Sequence, residues 1–505
     1  MAKQVHFGAD ARDKIRVGID VACRAIRSTI GPKGRNAFID NDMQPKITND
    51  GVTIANSITL DDKLENMGAW LVKNTSAQTN EEAGDGTSTT SVLLKAIIDE
   101  SLKRNENPME IKRSLMELEP KITKMIEKAS KPVEGSEIEN VATVSAESKE
   151  IGKLIAEVVG KVGKNVPITI EDNTLPEIDY KIVDGVETKV GYIANVFINN
   201  EKEGTCEIED AYVLAVDKKI STVAEVKPFM DMLGAEKISK LVILCQDIDN
   251  SVLGQFVFLK NIGAFSVLVV RVKGAELNDM AAACDATVIS ETSGLKLEDI
   301  KLEHFGRADK ITADDKKTVI INESESGKKH AAILRTQAER TKNTVEKAQL
   351  EARAAKLEGG VAVILVGAHT DSEREYQKYK IEDALNATKS AVDEGIVAGG
   401  GMCLYEISEG LKGTTIGEQI LKKALKEPLK AIIDNCGEDY ASITRGMAKG
   451  VGYDASSGEY VDMFEKGIVD PAKVTRCAFQ NALSTASNFI TAEVAVADTN
   501  PEKKN

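Results

Sequence analysis

One short segment of this 505-residue chain combines residue types that can hold a phosphate group: Gly84-Asp85-Gly86-Thr87-Ser88-Thr89. Its glycines permit a close approach of the backbone, its hydroxyl groups donate hydrogen bonds, and Asp85 offers a hard carboxylate oxygen of the kind that Mg²⁺ prefers. A helical apolar pattern follows at once, so free N–H groups at the start of a helix would lie beside the loop.

The same segment has a simpler explanation, in which Asp85 or Thr87 caps the helix that follows. The segment lacks the GK[ST] ending of a Walker A loop and the GxGxxG spacing of a dinucleotide fingerprint. Taken alone, it therefore favours the helix cap.

Three other segments offer similar chemistry. The run Thr29-Ile30-Gly31-Pro32-Lys33-Gly34 is a glycine loop after a helix, Asn49-Asp50-Gly51 places a carboxylate on a tight turn, and Gly399-Gly400-Gly401 permits close backbone approach. An ordinary turn explains each of them equally well, so residue types and spacing do not decide between a binding site and four turns.

Composition and charge narrow the class of protein. A formal net charge of −15 and a hydrophobic content of 42% fit a globular protein and argue against broad binding to nucleic acid or to an anionic membrane. Seven cysteines are scattered without a CxxC pair and four histidines are equally dispersed, so neither a disulfide framework nor a zinc site is expected. The first residues lack the features of a signal or transit peptide, and no apolar run is long enough to span a bilayer. We therefore expect a cytoplasmic protein with no nucleic-acid or membrane partner.

Hydrophobic patterns in the first quarter of the chain predict the elements that carry these segments. Apolar residues at spacings of four and three predict an amphipathic helix over 11–30, which Gly31-Pro32 ends. Residues 38–58 predict a pair of short strands around the turn Asn49-Asp50-Gly51. A helical pattern then continues to about residue 130.

The pattern changes in the middle of the chain. Between about 165 and 325, short β-branched runs alternate with helical stretches, which is typical of an α/β domain with a partly parallel sheet. A charged helix over about 330–358 and a strand VAVILVG follow. Helices return from about 375 to the end, interrupted by loops at Gly399-Gly400-Gly401 and at GYDASSGEY. The simplest arrangement is an insertion, in which the two helical ends form one domain around an α/β middle.

Taken together and in this order, the segments resemble the group I chaperonins, the GroEL family. The matching text includes TIGPKGRN, ITNDGVTIA, LENMGAWLVK and AGDGTSTTSVL, and later GGVAVILVGA, IEDALNATKSAVDEGIVAGGG, GYDA and GIVDPAKVTR. The likeness runs from about residue 2 to residue 495, is dense in the two terminal quarters and is thin in the middle.

The resemblance implies a multidomain α and α/β chain with the chaperonin fold. A helical equatorial ATP-binding domain would span 1–131 and 396–505, a small α/β intermediate hinge domain 132–185 and 361–395, and an inserted α/β apical substrate-binding domain 186–360. The implied function is ATP-dependent protein folding. Rings, usually of seven subunits, bind non-native polypeptides and release them through a cycle of ATP binding and hydrolysis, with a GroES-type lid protein as a candidate partner.

Carried over position by position, the resemblance assigns an ATP site and makes the segment 84–89 a phosphate loop. Asp85 would bind Mg²⁺, and K⁺ is a further candidate ion. The residues expected at the nucleotide are Thr29, Ile30, Gly31, Pro32, Asn49, Asp85, Gly86, Thr87, Ser88, Thr89, Gly400, Asp454, Ala455, Ser456 and Asp470.

Two further carboxylates are assigned to catalysis by the resemblance. Asp383 would lie on a mobile helix and position the attacking water, with Asp50 as a second carboxylate near that water. Helical spacing allows this role, because Asp383, Asn386 and Ser390 share one face. Without the resemblance, a solvated surface aspartate would be the preferred explanation for Asp383.

The resemblance also points to residues that would contact client polypeptides: Tyr192, Phe197, Met230, Leu253, Val257 and Phe258. The last three lie in NSVLGQFVFLKNIGAF, a predicted helix that is apolar nearly all round. Two explanations stay open. Either the helix is completely buried in a core, or the stripe of Val252, Phe256 and Leu259 packs inward while Leu253, Val257 and Phe258 face the ring cavity.

The chain departs from the family pattern mainly in the apical part. Val196 and Lys227 stand where the family has an aromatic and an aliphatic contact, and GAELNDM after Lys273 replaces a Gly-Phe-Gly-Asp-Arg-Arg run. These departures put lid pairing and client range in question. One competing hypothesis is an assembly that binds unfolded chains but cycles poorly. Another is an unrelated ATP-dependent phosphotransferase, for which no acceptor-activating motif is evident.

Overall fold

The computed structural model describes residues 3–40, 45–133, 136–162, 167–173, 175–201, 203–291, 293–341, 343–448 and 450–498. The chain divides into two compact units, of which the first comprises Met1–Glu157 and Glu375–Asn505 and the second comprises Val158–Arg374. The first unit therefore combines both ends of the chain. The finer division into equatorial, intermediate and apical domains stays a prediction.

The N-terminal elements are predominantly helical. They are β1 (Lys3–Phe7), α1 (Gly8–Arg27), β2 (Ala37–Ile39), β3 (Lys46–Thr48), α2 (Gly51–Ser57), α3 (Lys63–Ala83), α4 (Thr87–Leu102), α5 (Pro108–Ala129), α6 (Ser136–Ala146) and α7 (Lys149–Val162). Local capping signals set several boundaries. Asp62 accepts hydrogen bonds from the first amides of α3, and α5 begins at Pro108 directly after the cap Asn107.

The strand pair predicted around Asn49-Asp50-Gly51 is only half right. β2 and β3 do pair as antiparallel strands, but both precede Asn49, and the segment after Asp50 is helix α2. The reason is local, because the Asp50 carboxylate accepts hydrogen bonds from the amides of Val52 and Thr53 and so starts a helix.

The middle elements form an α/β unit. They are β4 (Ile168–Asp172), β5 (Ile178–Val183), β6 (Gly185–Thr188), β7 (Cys206–Ile220), α8 (Val223–Ala235), β8 (Lys240–Ile248), α9 (Asn250–Asn261), β9 (Ser266–Arg271), α10 (Gly274–Ala283), β10 (Val288–Ile289), β11 (Gly306–Ala313), β12 (Thr318–Ile321), α11 (Glu325–Arg340), α12 (Thr344–Gly359) and β13 (Val361–Val366), with short 3-10 helices at Asn195–Phe197, Leu297–Asp299 and Leu302–His304. The charged stretch predicted as one helix is two helices, because Asn343 caps α12 and starts it anew.

The described strands of this unit form two sheets. The larger has the order β6-β12-β11-β7-β8-β9 with β10 beside β7, and β7, β8, β9 and β10 run parallel while β6, β11 and β12 run antiparallel to their neighbours. The smaller has the order β4-β13-β5. Helices α8 and α9 make the crossovers that parallel strands require, and the central strands are buried along continuous apolar runs such as Leu241–Cys245.

The C-terminal elements return to the first unit. They are α13 (Asp371–Glu394), β14 (Ile396–Ala398), α14 (Met402–Gly410), α15 (Ile416–Ala424), α16 (Glu427–Asn435), α17 (Tyr440–Gly446), β15 (Gly452–Asp454), β16 (Glu459–Val461), β17 (Val469–Pro471), α18 (Ala472–Ile490) and β18 (Val494–Asp498). The segment GYDASSGEY, predicted as a loop, is the hairpin β15–β16.

The two chain ends meet in the first unit, where β1 pairs with β18. Helix α18 packs on α3, α4 and α5, and its residues Phe479 and Leu483 are fully buried among aliphatic side chains. This packing fixes the junction of α3 and α4, where the segment 84–89 lies. Among the described helices, none combines the length and apolar character that crossing a membrane requires.

Candidate functional site

A cavity of about 610 Å³ lies in the first unit and is lined by residues from both ends of the chain. Every residue that the sequence assigned to nucleotide binding or catalysis lines it: Thr29, Ile30, Gly31, Pro32, Asn49, Asp50, Asp85, Gly86, Thr87, Ser88, Thr89, Asp383, Gly400, Asp454, Ala455, Ser456 and Asp470. The structure thus brings together segments that are far apart in the sequence.

The segment 84–89 connects α3 to α4 and leaves the start of α4 open. Gly84 ends α3 with φ 73° and Gly86 is the N-cap of α4 with φ 94°, so both glycines adopt the left-handed conformation. No described side chain caps α4, and Asp85 accepts a hydrogen bond from its neighbour Gly86 instead. The helix-cap explanation is therefore wrong for this segment, and the first amides of α4 line the cavity without a side-chain cap.

The loop after α1 is held in place by hydrogen bonds to its backbone. Thr29 donates its hydroxyl proton to the carbonyl of Ile26 at 2.8 Å, so this side chain belongs to the end of the helix. Asn435 donates to the carbonyls of Arg27 and Ile30, both at 2.9 Å, and fixes the loop in place. The loop therefore offers a fixed backbone surface to the cavity.

Asp454 lines the cavity, but its carboxylate accepts hydrogen bonds from the turn that follows it in the sequence. Its oxygens accept hydrogen bonds from the amide of Ser456 at 2.9 Å and from the hydroxyl of Ser457 at 2.7 Å. Burial alone would raise the pKa of Asp454, yet these bonds outweigh burial and hold the pKa below its ordinary value. We conclude that Asp454 shapes the β15–β16 hairpin, while the neighbouring backbone faces the cavity.

An apolar wall completes this end of the cavity. Ile432, Tyr453 and Met463 belong to one buried cluster, and Ile30 packs against it. No sequence pattern indicates this wall, because its residues lie on separate elements and share no spacing. Such a surface suits a flat aromatic ring.

The cavity also holds a group of half-buried carboxylates. Burial raises the pKa of Asp383 well above its ordinary value, and the charges of Asp85 and Asp50 act in the same direction. Burial also raises the pKa of Asp85, although the Gly86 amide and Lys380 oppose this. Burial and the charge of Asp85 raise the pKa of Asp470 to about 7. These neighbouring carboxylates therefore favour the binding of a positively charged ligand in the cavity.

Charged residues that were missed from the sequence also line the cavity, among them Lys380 and Glu147. Lys380 is buried, with 9% exposure, and its Nζ lies 3.1 Å from the Glu147 carboxylate. Lys380 precedes Asp383 by three residues, so the helical spacing was a usable signal that both face the same way. Glu147 lies between α6 and α7 with φ 55°, and no sequence pattern announces that position.

Helix α13 packs directly on the loop 84–89. A Cβ atom at Gly84 would lie 2.3 Å from the Cβ of Asn386, and Ser390 donates a hydrogen bond to the carbonyl of Ala83 at 2.7 Å. Asn386 and Ser390 lie on the helix face that also carries Asp383. The absence of a side chain at Gly84 thus permits the approach that brings Asp383 into the cavity.

The residues predicted to contact client polypeptides lie in the second unit and differ in exposure. Phe197 is fully buried and Met230 is 9% exposed, which corrects their assignment as contact residues, because both belong to the hydrophobic core. Tyr192, Leu253 and Val257 are half-buried, whereas Phe258 is 56% exposed.

Helix α9 is therefore not completely buried. Val252 and Phe256 pack inward with no exposure, while Phe258 points to solvent. Complete burial of the helix is therefore excluded, and Leu259 of the inward stripe is half-buried. That Leu253, Val257 and Phe258 face a ring cavity stays a prediction.

Comparison with known proteins agrees with this architecture. Residues 23–500 match the model of the TCP-1/cpn60 chaperonin family. The chaperonin gp146 from the bacteriophage EL 2 (Pseudomonas aeruginosa), crystallised in the presence of ATP-BeFx, has a similar structure, with TM-scores of 0.72 for crystal form II and 0.67 for crystal form I. In both cases the identity is 20%, and the match covers 98% of this chain and 99% of the other. At this identity the likeness shows a shared fold, and the predicted chaperonin fold is confirmed.

The contact between Gly84 and Asn386 predicts how α13 responds to a methyl group. Gly84→Ala should push α13 away from the loop and accelerate amide hydrogen exchange in residues 380–392 by about tenfold, because about 1.4 kcal/mol of packing would be lost. Gly437→Ala is the matched control, since Gly437 has φ 79° and no described atom lies within 4 Å of the place that its Cβ atom would take. Both variants carry the cost of a left-handed alanine, about 1 to 2 kcal/mol. Equal exchange rates in α13 of the two variants would contradict the contact.

Proposed function

Because the chain belongs to the TCP-1/cpn60 chaperonin family, we propose that it is an ATP-dependent protein-folding chaperonin. It binds non-native polypeptides and releases them through a cycle of ATP binding and hydrolysis. The observation that carries this proposal is the cavity of the first unit, which collects all the residues assigned to ATP from segments at both ends of the chain.

The cavity suits a nucleoside triphosphate because its walls offer two kinds of contact. The start of α4 offers uncapped amides and the positive end of the helix dipole to the phosphates. The apolar wall around Tyr453 and Met463 offers contact to the base. A volume of about 610 Å³ lies within the range of pockets for ligands of this size.

The carboxylates that line the cavity fit an Mg²⁺ ion that is bound jointly by the protein and by phosphate oxygens. Among the described residues, no three His, Cys, Asp or Glu side chains are grouped to hold a metal by themselves. Mg²⁺ is commonly bound through one or two carboxylates together with phosphate oxygens, and Asp85 is a half-buried carboxylate within the phosphate loop. When bound, the ion supplies positive charge that offsets the carboxylates and the phosphates. K⁺ binding stays a prediction.

Asp383 is proposed to orient the water that attacks the terminal phosphate. A carboxylate oxygen accepts a hydrogen bond from water and so fixes its position, which is the contribution that phosphoryl transfer requires. Asp50 is held rigidly by the amides of Val52 and Thr53 and adds a second acceptor. The charge of Lys380 favours the ionised form of Asp383 and so opposes the rise in its pKa.

An exposed apolar surface on the second unit is the proposed site for client polypeptides. Phe258 is 56% exposed, Ile262 58% and Val196 38%. Lys260 donates hydrogen bonds to the carbonyls of Val196 and Ile198, which joins α9 to the segment that carries Val196. Non-native chains expose apolar side chains, and an apolar surface of this kind binds them with little sequence preference.

Assembly into a ring is supported by two exposed apolar ribbons in the first unit. In the terminal ribbon, β1 and β18 place Val5 opposite Val496 and Phe7 opposite Val494, and all four side chains are 47% to 64% exposed. An apolar face of this kind on a two-stranded ribbon calls for a protein partner.

The second ribbon has a similar character. In the hairpin ribbon, β2 and β3 place Phe38 opposite Ile47, and these side chains are 75% and 53% exposed. We propose that the hairpin ribbon of one copy docks on the terminal ribbon of the next. A contact between two different surfaces of one chain repeats head to tail and closes into a ring. Seven subunits per ring and a lid protein stay predictions.

Replacement of Asp383 tests the hydrolytic step. Asp383→Ala should slow steady-state ATP hydrolysis by about 10²-fold or more, because the water loses its orienting acceptor, while the dissociation constant for ATP stays unchanged. The control is Asp393→Ala on the same helix, where the carboxylate pairs with Lys473 at 2.9 Å and is not among the described residues that line the cavity. Wild-type turnover by Asp383→Ala would reject the assigned role.

Replacement of Phe38 tests the ring contact. Phe38→Asp should convert the assembly to subunits of 54.5 kDa in native mass spectrometry, because a buried charge would replace the apolar contact. The control is Val345→Asp on α12, where a side chain with 65% exposure lies outside both ribbons and the assembly should persist. Retention of the full assembly by Phe38→Asp would refute docking through the hairpin ribbon.

A further inference from the structure

A buried layer of polar side chains lies beneath the phosphate loop, where α3, α4 and α18 meet. Thr79 and Thr90 have no exposure and Asn481 has 8%. Buried hydroxyl and amide groups destabilise a fold unless they are hydrogen-bonded, and apolar side chains of similar size would pack at such an interface without that requirement. The bonds that these groups make therefore indicate what the layer does.

The layer forms a continuous chain of contacts from α18 to the phosphate loop. Asn481 donates hydrogen bonds to the Thr79 hydroxyl at 3.0 Å and to the Glu82 carboxylate at 3.2 Å. The hydroxyl oxygens of Thr79 and Thr90 lie 3.0 Å apart. The Thr90 hydroxyl lies 2.9 Å from the carbonyl oxygen of Gly86, which also accepts a hydrogen bond from the Thr90 amide at 2.9 Å.

Holding the carbonyl of Gly86 also aims the amide of Thr87. The two groups belong to one planar trans peptide, in which the C=O and the N–H point in opposite directions. Because the carbonyl points along α4 toward Thr90, the N–H of Thr87 points back out of the start of the helix. Thr87 lines the cavity at the uncapped start of α4.

The role of Asn481 follows from the number of protons that the hydroxyl groups of the layer can donate. A hydroxyl group carries one proton, so Thr90 donates either to the carbonyl of Gly86 or to Thr79. Asn481 supplies a donor to Thr79, and the Glu82 carboxylate holds the amide of Asn481 in the orientation that donates. The single proton of Thr79 has two acceptors within reach, the Thr90 hydroxyl and the carbonyl of Thr75 at 3.2 Å. In the continuous arrangement Asn481 donates to Thr79, Thr79 donates to Thr90, and the proton of Thr90 goes to Gly86.

A neighbouring pair of serines repeats the arrangement one residue further along. The hydroxyl oxygens of Ser76 and Ser91 lie 2.9 Å apart, and Ser91 donates to the carbonyl of Thr87 at 3.0 Å. This carbonyl shares its peptide with the N–H of Ser88, another cavity-lining residue. Two hydroxyl pairs between α3 and α4 therefore fix two successive peptides at the start of α4.

We propose that Thr79 and Asn481 are positioning residues for the phosphate loop, which act through Thr90 and the carbonyl of Gly86 to aim the Thr87 amide at a phosphate of the bound nucleotide. The inference rests on the proposed function and extends it to residues that lie below the cavity. Neither Thr79 nor Asn481 is among the described residues that line the cavity, so neither touches the ligand.

The interface itself offers a matched control for a purely structural role. The hydroxyl oxygens of Thr75 and Thr485 lie 3.0 Å apart and join the same helices, α3 and α18, about one turn from Thr79 and Asn481. Neither residue is among those described as lining the cavity. Thr485→Val therefore removes a hydrogen bond of the same kind without touching the phosphate loop.

The test compares ATP affinity and turnover in the assembled protein. Thr79→Val keeps the shape of the side chain and removes its hydroxyl, and Asn481→Leu removes the amide donor. Both should raise the KM for ATP hydrolysis and the dissociation constant for ATP by about tenfold, with a smaller change in kcat, which corresponds to about 1.4 kcal/mol of binding free energy. Thr79→Ser should restore wild-type KM, and Thr485→Val should lower the melting temperature as much as Thr79→Val while leaving KM unchanged.

The outcomes separate this inference from the proposed function. Wild-type KM in both Thr79→Val and Asn481→Leu would overturn the positioning role, as would an equal rise of KM in Thr485→Val. If Asn481→Leu fails to fold, the comparison of Thr79→Val with Thr79→Ser decides by itself. Failure of the unaltered protein to bind ATP would overturn the proposed function, and this inference with it.

Discussion

The amides at the start of α4 are the feature on which the candidate site depends. None of the described side chains caps them at the junction with α3, where two left-handed glycines turn the chain and Asp85 between them accepts a hydrogen bond from its neighbour Gly86. Helix ends with free N–H groups attract anions. The half-buried carboxylates around Asp383 repel anions. Stable binding of a triphosphate therefore requires a cation that offsets this repulsion. In the proposed function, this opposition would make the carboxylates of the cavity respond to a bound nucleotide and its ion. Helix α13 carries Asp383 on the face that contacts the loop 84–89.

The fold class followed from short-range patterns wherever these were strong. The spacing of apolar residues predicted α1, and the β-branched runs predicted the parallel strands β7, β8 and β9 of the inserted unit. The predictions failed where one polar side chain decides the structure. Asp50 turns an expected strand into α2, and Asn343 divides an expected single helix into α11 and α12. Caps of this kind act within three residues, so they leave almost no trace in the apolar spacing over the longer windows from which helices and strands are predicted.

The resemblance identified residues that line the cavity because its motifs are short continuous segments. It did not reveal the tertiary contacts between residues that are far apart in the sequence. Glu147 and Lys380 meet through tertiary structure, and only the spacing of Lys380 from Asp383 hinted at its place. Phe197 lies in a short 3-10 helix and is nevertheless fully buried, because the core of the second unit closes over it. Asn481, in the middle of an apolar helix, looks like a simple interface residue until its bond to Thr79 is seen.

The decisive experiment is a structure of the assembled protein with Mg²⁺ and a non-hydrolysable ATP analogue. We expect nucleotide density in the cavity of the first unit, with phosphate oxygens within hydrogen-bonding distance of the Thr87, Ser88 or Thr89 amides and the metal at the Asp85 carboxylate. Density for the nucleotide at another place, or phosphates that contact neither the start of α4 nor the ion at Asp85, would contradict the assignment of this cavity to ATP.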